Sequence, residues 1–127
     1  MIDKLTGTLN FQARALELRS QRQSLLAANV ANADTPGYRA VDMDFSKTLE
    51  QATRPAAATH AAAGAAPAGI FSAARIIARD PAQEAADGNG VDMDRERARF
   101  AENSVGYEAA IRTLNHQVKS LLSVIQG

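Results

Sequence analysis

The chain has no cysteine and no tryptophan, and four phenylalanines and two tyrosines are its whole aromatic content. Without cysteine there are no disulfides and no thiolate ligands for a metal. An excess of one charge is missing too: 14 basic and 14 acidic residues cancel. No basic surplus therefore points to nucleic acid or to an anionic membrane surface. The two histidines, His60 and His116, lie far apart in sequence. There is no G-x-S-x-G elbow and no glycine loop of the kind that cradles phosphate. These absences argue against an enzyme, and no catalytic residue, cofactor or metal site is expected.

Large apolar side chains are also scarce. Hydrophobic residues make up 46% of the 127, but many are alanine, which buries little area. A short chain already buries only a modest share of its surface, so a self-sufficient core is not expected. Long apolar runs are absent as well. The stretch from Ala56 to Ala74 has only Thr59, His60 and Ser72 as polar members, yet it is mostly alanine broken by Gly64, Pro67 and Gly69. A bilayer span takes about 20 strongly apolar residues, so no membrane span is expected. Polar residues interrupt the segment from Leu5 to Leu16, which is not the pattern of a cleavable secretory signal.

What the chain does have is helical pattern at both ends. From about Thr8 to Ala33 there is no proline and no glycine, and Leu, Ala, Gln, Arg and Glu dominate, all strong helix formers. Thr6 or Thr8 suits the N-cap. On a helical wheel Leu5, Leu9, Leu16, Leu26 and Val30 lie on one side, with Phe11, Leu18 and Leu25 nearly opposite. A helix on a monomer surface needs one apolar stripe, so this one is expected to have neighbours on two sides.

At the other end, Asp92, Asp94 and Glu96 place negative charge on a first helical turn, where the free N–H groups and the dipole favour it. Phe100, Ser104, Tyr107, Ile111, Leu114, Val118, Leu121 and Ile125 then recur at alternating spacings of four and three, a coiled-coil-grade stripe. The opposite face carries Ala98, Ala101, Val105 and Ala109, small enough for another helix to come close. Gly106 costs the helix about 1 kcal/mol, which a neighbour packed there makes tolerable. His116 reads as a surface or interface residue.

Between the helices, Thr35 precedes Pro36 and is pushed out of the helical region. Pro36-Gly37 fits the centre of a type II turn. Val41, Met43 and Phe45 alternate with Asp42 and Asp44, which predicts a short extended piece. Phe45, Leu49 and Ala52 predict one or two helical turns, stopped at Arg54-Pro55. The alanine-rich stretch that follows is expected to be flexible, with a small ordered patch near Ile70 to Ile77 in an assembly. Asp87 to Asp92 imitates the start of a calcium loop, but Asp92 stands where a glycine is needed and Ala98 where the glutamate should be. A turn leading into a helix cap is the better reading.

The expected fold is therefore mainly α: two long terminal helices in an antiparallel coiled-coil-like pair, with a short extended and turn segment and a flexible Ala-rich middle. The divisions are an N-terminal helix over residues 1–34, the turn, extended piece and middle over 35–90, and a C-terminal helix over 91–127. All belong to one assembly domain.

The string Asn29-Val30-Ala31-Asn32-Ala33-Asp34-Thr35-Pro36-Gly37-Tyr38 resembles the N-terminal signature of the bacterial flagellar rod and hook proteins. That signature reads Asn-hydrophobic-Ala-Asn-x-x-Thr-Pro-Gly-aromatic. Asp87 to Glu96, Ala101 to Ser104 with Tyr107, and Val41 to Phe45 are similar to a proximal-rod member of the family. The likeness covers about residues 1–52 and 75–127. It implies a structural subunit of the basal-body rod in the periplasmic space, exported without a cleavable signal and polymerised through its terminal helices. The implied partners are copies of itself, other rod proteins, the base of the rod at the inner-membrane ring, and the flagellar export apparatus. On the resemblance, Asn29, Asn32, Thr35, Pro36, Gly37 and Tyr38 are signature and turn residues. Phe11, Leu16, Leu18 and Leu25, with Phe100, Tyr107, Ile111, Leu114, Val118, Leu121 and Ile125, are assembly positions. Phe11 also falls in the segment the export machinery would read. The alternative is a generic helical adaptor or secretion-system chaperone acting as a discrete soluble oligomer.

Overall fold

A computed structural model describes residues 2–54, 76–79 and 91–127. Within them the chain runs α1 (Ile2–Ala31), β1 (Val41–Met43), α2 (Phe45–Thr53), β2 (Ile76–Ala78) and α3 (Met93–Gln126). The two long helices pack antiparallel. Asn29 meets Glu96, Gln23 meets Asn103, and Leu5 and Leu9 lie across from Gln117 and Leu121.

α1 starts six residues earlier than its sequence predicts. Thr8 is not a cap: its hydroxyl donates to the Lys4 carbonyl, one turn back, at 2.9 Å. Gly7 lies inside the helix. Its cost is outweighed because this first stretch rests against the end of α3, and packing contributes more to helix stability than propensity does. At the far end the type II turn forms as expected. Tyr38 N–H donates to the Thr35 carbonyl at 3.2 Å, and Gly37 takes a φ of 75°, which a side chain would resist.

The short elements fold back on α1. Asp44 caps α2 by accepting from Lys47 N–H at 3.2 Å, and the helix stops before Pro55. Thr48 and Ala52 of α2 are buried, and Arg14 of α1 donates to the Ala52 carbonyl. α1 thus does have neighbours on two sides, α3 on one and α2 with β1 on the other. The second neighbour belongs to the same chain.

β1 and β2 pair antiparallel in the register Val41↔Ala78, Asp42↔Ile77 and Met43↔Ile76. Arg79 N–H adds a further rung to the Ala40 carbonyl at 2.9 Å. β2 begins where the expected ordered patch ends. The rest of that patch, the alanine-rich stretch from Ala56 to Ala74 with His60, and Asp87 to Gly90 lie outside the described residues. α3 opens on Asp92, whose side chain accepts from Asp94 N–H and Arg95 N–H at 3.1 and 3.2 Å.

The buried residues lie where these pieces converge. Ala15, Leu18, Leu26, Met43 and Ala52 are joined by Asn29, Thr48, Glu96 and Asn103, and a small cluster of Ala33, Ala40 and Val91 closes the turn. Glu96 adds to the sequence reading. It lies on the first turn of α3 as expected, but its side chain is fully buried, which the sequence does not reveal.

Candidate assembly site

The signature stretch owes its geometry to Asn29. This side chain sits two residues before the end of α1, is fully buried, and faces the first residue of β1. Its Nδ2 donates to the Val41 carbonyl at 2.7 Å and to Glu96 Oε2 at 2.8 Å. Its Oδ1 accepts from Val41 N–H at 3.0 Å and from the Tyr38 hydroxyl at 3.1 Å. Both donors and both acceptor positions of the amide are used. Asn29 therefore treats Val41 as a neighbouring strand would, and Tyr38 is locked to it. Asn32, its partner in the sequence pattern, has a lesser part. It is half-buried, donates to the Ala28 carbonyl at 2.8 Å, and accepts from Thr35 N–H through its own carbonyl at 3.0 Å. Thr35, Pro36 and Gly37 form the exposed outside of the turn.

Around Asn29 two carboxylates and three guanidiniums meet. Asp42 receives Arg22 of α1 through two bonds, at 3.0 and 3.2 Å, in the paired geometry that suits arginine. Arg79, just past β2, reaches both Asp42 and Glu96. Arg99 donates to Glu96 at 2.8 Å. Burial by itself raises the Asp42 carboxyl. Hydrogen bonds from Arg22, Arg79 and Met43 N–H, with the Arg22 charge, outweigh it and hold the group below its ordinary value.

Further along the helices the contacts remain polar. Asn103 donates to the Arg19 carbonyl at 2.9 Å and to Gln23 Oε1 at 2.6 Å. The Arg19 guanidinium lies 4.7 Å from the centre of the Phe45 ring. A Cβ on Gly106 would stand 2.5 Å from Arg19 Nη1, so this glycine makes room for that guanidinium. These bonds turn α3 on its axis. The line facing α1 carries Glu96, Asn103, Gln117 and Leu121, with Ala110 and Leu114 between them. The rest of the apolar stripe lies beside it: Tyr107 and Ile111 are half-buried, as Leu114 and Leu121 are, while Phe100, Val118 and Ile125 are exposed. On α1, Leu18 is fully buried, Leu16 and Leu25 are half-buried, and Phe11 is exposed.

Two shallow apolar grooves run along the exposed flanks. One, of about 330 Å³, lies between the helix ends and is lined by Leu5, Leu9, Leu121 and Val124 beside His116. The other, also of about 330 Å³, lies near the junction and is lined by Val30, Ala31, Arg97 and Phe100. No helix among the described residues is long and apolar enough to cross a membrane.

The sequence reading missed Arg22, Asp42, Arg79, Glu96 and Arg99 as a group. One signal was there to be read: positions 96, 103, 110 and 117 repeat every seven residues beside the apolar stripe and carry Glu, Asn, Ala and Gln, a line at coiled-coil spacing that is polar at all but Ala110.

The family model described as flagella basal body rod protein matches residues 9–39, a span that includes the whole signature. Three curated relatives are similar over nearly their full length. The flagellar basal body rod proteins FlgB of Salmonella typhimurium and of Escherichia coli are each 45% identical over 136 residues, covering 100% of this chain and 99% of the relative. The FlgB of Cereibacter sphaeroides is 39% identical over 124 residues, covering 94% of each. Likeness at this level through both terminal helices and the junction between them places the chain: it belongs to the FlgB family of flagellar basal body rod proteins.

Proposed function

We propose that the chain is a structural subunit of the proximal rod of a bacterial flagellar basal body, built into it through the outer flanks of its terminal helices. The observation that carries this is what the helix pair leaves uncovered. After α1 and α3 have packed together, Ile2, Phe11, Val118, Leu122, Val124 and Ile125 are still exposed. Burying apolar surface is worth roughly 25 cal/mol per Å², so such flanks favour association with further helices. The partners are copies of this chain and other rod proteins, with the base of the rod at the inner-membrane ring below and the flagellar export apparatus as the route outward. The working place is the rod within the periplasmic space. A catalytic role has no support in the arrangement, because the buried carboxylates are committed to arginines. A generic adaptor or chaperone forming a discrete soluble oligomer is not favoured, since similarity to rod proteins extends over the whole chain.

Val124→Asp tests the proposal. Val124 is 80% exposed, so the isolated variant should keep its helix content and its urea midpoint. In cells that carry it in place of the natural copy, the protein should be exported but rods should fail to form and swimming should cease. Normal swimming would sink the assignment of this flank to assembly.

A further inference from the structure

We propose that β2 is a strap latched by Arg79, able to open and close while the junction behind it stays intact. The strand has little hold of its own. It is three residues long and all three are exposed, Ile76 by 56% and Ile77 by 42%. A two-stranded ladder of this length is not stable by itself. The additional hold comes from the next residue. Arg79 divides its guanidinium between Asp42 of β1 and Glu96 of α3, two elements that do not otherwise share a cation among the contacts described.

Breaking a buried ion pair is ordinarily costly because one charge is left without a partner. Here neither carboxylate would be. Asp42 keeps both bonds from Arg22 of α1 and the N–H of Met43. Glu96 keeps Arg99 on its own helix and the amide of Asn29 from α1. The departing guanidinium, already 13% exposed, returns to water. β1 does not lose its place either, because Asn29 holds Val41 from the edge away from β2. The junction thus has two self-consistent arrangements, with and without the strap. With the strap open, β2 parts from β1 while α1 and α3 keep their register. This inference does not depend on which assembly the chain joins.

Hydrogen exchange on the full chain tests it, comparing the natural protein with Arg79→Gln and Arg79→Lys. The register alternates, so the amides of Ile77 and residue 79 point into the ladder with β1, while Val41 N–H points to Asn29. In Arg79→Gln, exchange at positions 77 and 79 should rise by roughly tenfold or more, the scale of a lost charged hydrogen bond. Val41 and the amides of α1 and α3 should keep their rates, and the helical circular dichroism should not change. Arg79→Lys should fall between, since an ammonium cannot fork to two carboxylates as a guanidinium does. Faster exchange at Val41 in step with Ile77, or loss of helix, would show that strap and junction are one unit and overturn the proposal. Unchanged rates at 77 and 79 would overturn it too, by showing that Arg79 is not the latch.

Discussion

Asn29→Ala should be among the most damaging single changes in the chain. The substitution removes four hydrogen bonds at a site with no exposure to solvent. Tyr38 is half-buried, so its hydroxyl can turn to water. Val41 N–H, the Val41 carbonyl and Glu96 Oε2 have the asparagine amide as partner, Glu96 fully buried and Val41 half-buried. Leaving a buried polar group unpaired costs about 1–3 kcal/mol, and more for a charged one. Alanine returns about 0.5 kcal/mol through its better helix propensity. The net loss is therefore about 3–5 kcal/mol, against a total stability of about 5–15 kcal/mol for a typical domain. Asn32→Ala supplies the control. It removes one good side-chain bond, to the Ala28 carbonyl, and a long exposed one from the Thr35 hydroxyl, at a half-buried site next to the turn, and should cost less than about 1 kcal/mol. Urea unfolding followed by far-ultraviolet circular dichroism measures both. If the two variants lose the same stability, or if Asn29→Ala loses under about 1 kcal/mol, the reading of Asn29 as a stand-in strand is wrong.

Gly106→Ala sets about 1 kcal/mol of helix propensity against displacement of Arg19 from Phe45, a cation–π contact worth about 0.5–1 kcal/mol. It should be nearly neutral in urea unfolding, yet clearly stabilising in a Phe45→Leu background; equal effects in both backgrounds would disprove the link. Asp42→Asn should flatten the acid end of the stability profile. The Asp42 pKa is lowered on folding, so its charged form contributes stability above the unfolded carboxylate pKa of about 3.9. That contribution is lost as the pH falls through the lower folded value. Urea midpoints between neutral pH and strong acid should therefore drop more steeply below about pH 4 for the natural protein than for the variant. Parallel curves would mean that the Asp42 charge is not held by Arg22 and Arg79.

What was legible in the sequence was what local chemistry decides. The Pro36-Gly37 turn, the alternation from Val41 to Met43, and the stop of α2 before Pro55 follow from backbone limits that act within a few residues. The start of α1 was misjudged because Gly7 and Thr8 look like an ending locally, while the helix is sustained by α3 from more than a hundred residues away in the chain. β2 was only half seen, since two isoleucines do not reveal which strand they will pair with. The burial of Glu96 went unseen for the same reason. On a first turn an acid looks like a dipole partner, and only the arrival of Asn29 and Arg79 makes it a buried anchor. The apolar repeat in α3 was real, but the buried amide of Asn103, bonded to half-buried Gln23, claimed the contact line and left Phe100, Val118 and Ile125 on the outside.

The amide at position 29 has one more effect. A bare strand edge invites any extended backbone nearby to add itself, a hazard wherever many identical molecules are crowded side by side. On the rim of β1 turned away from β2, the N–H and carbonyl of Val41 are taken by Asn29, and the N–H of Met43 is taken by Asp42. Asn29, with Asp42 beside it, thus stops the little ribbon from growing sideways, so that crowding can bring helices together without zipping these ribbons into a continuous sheet.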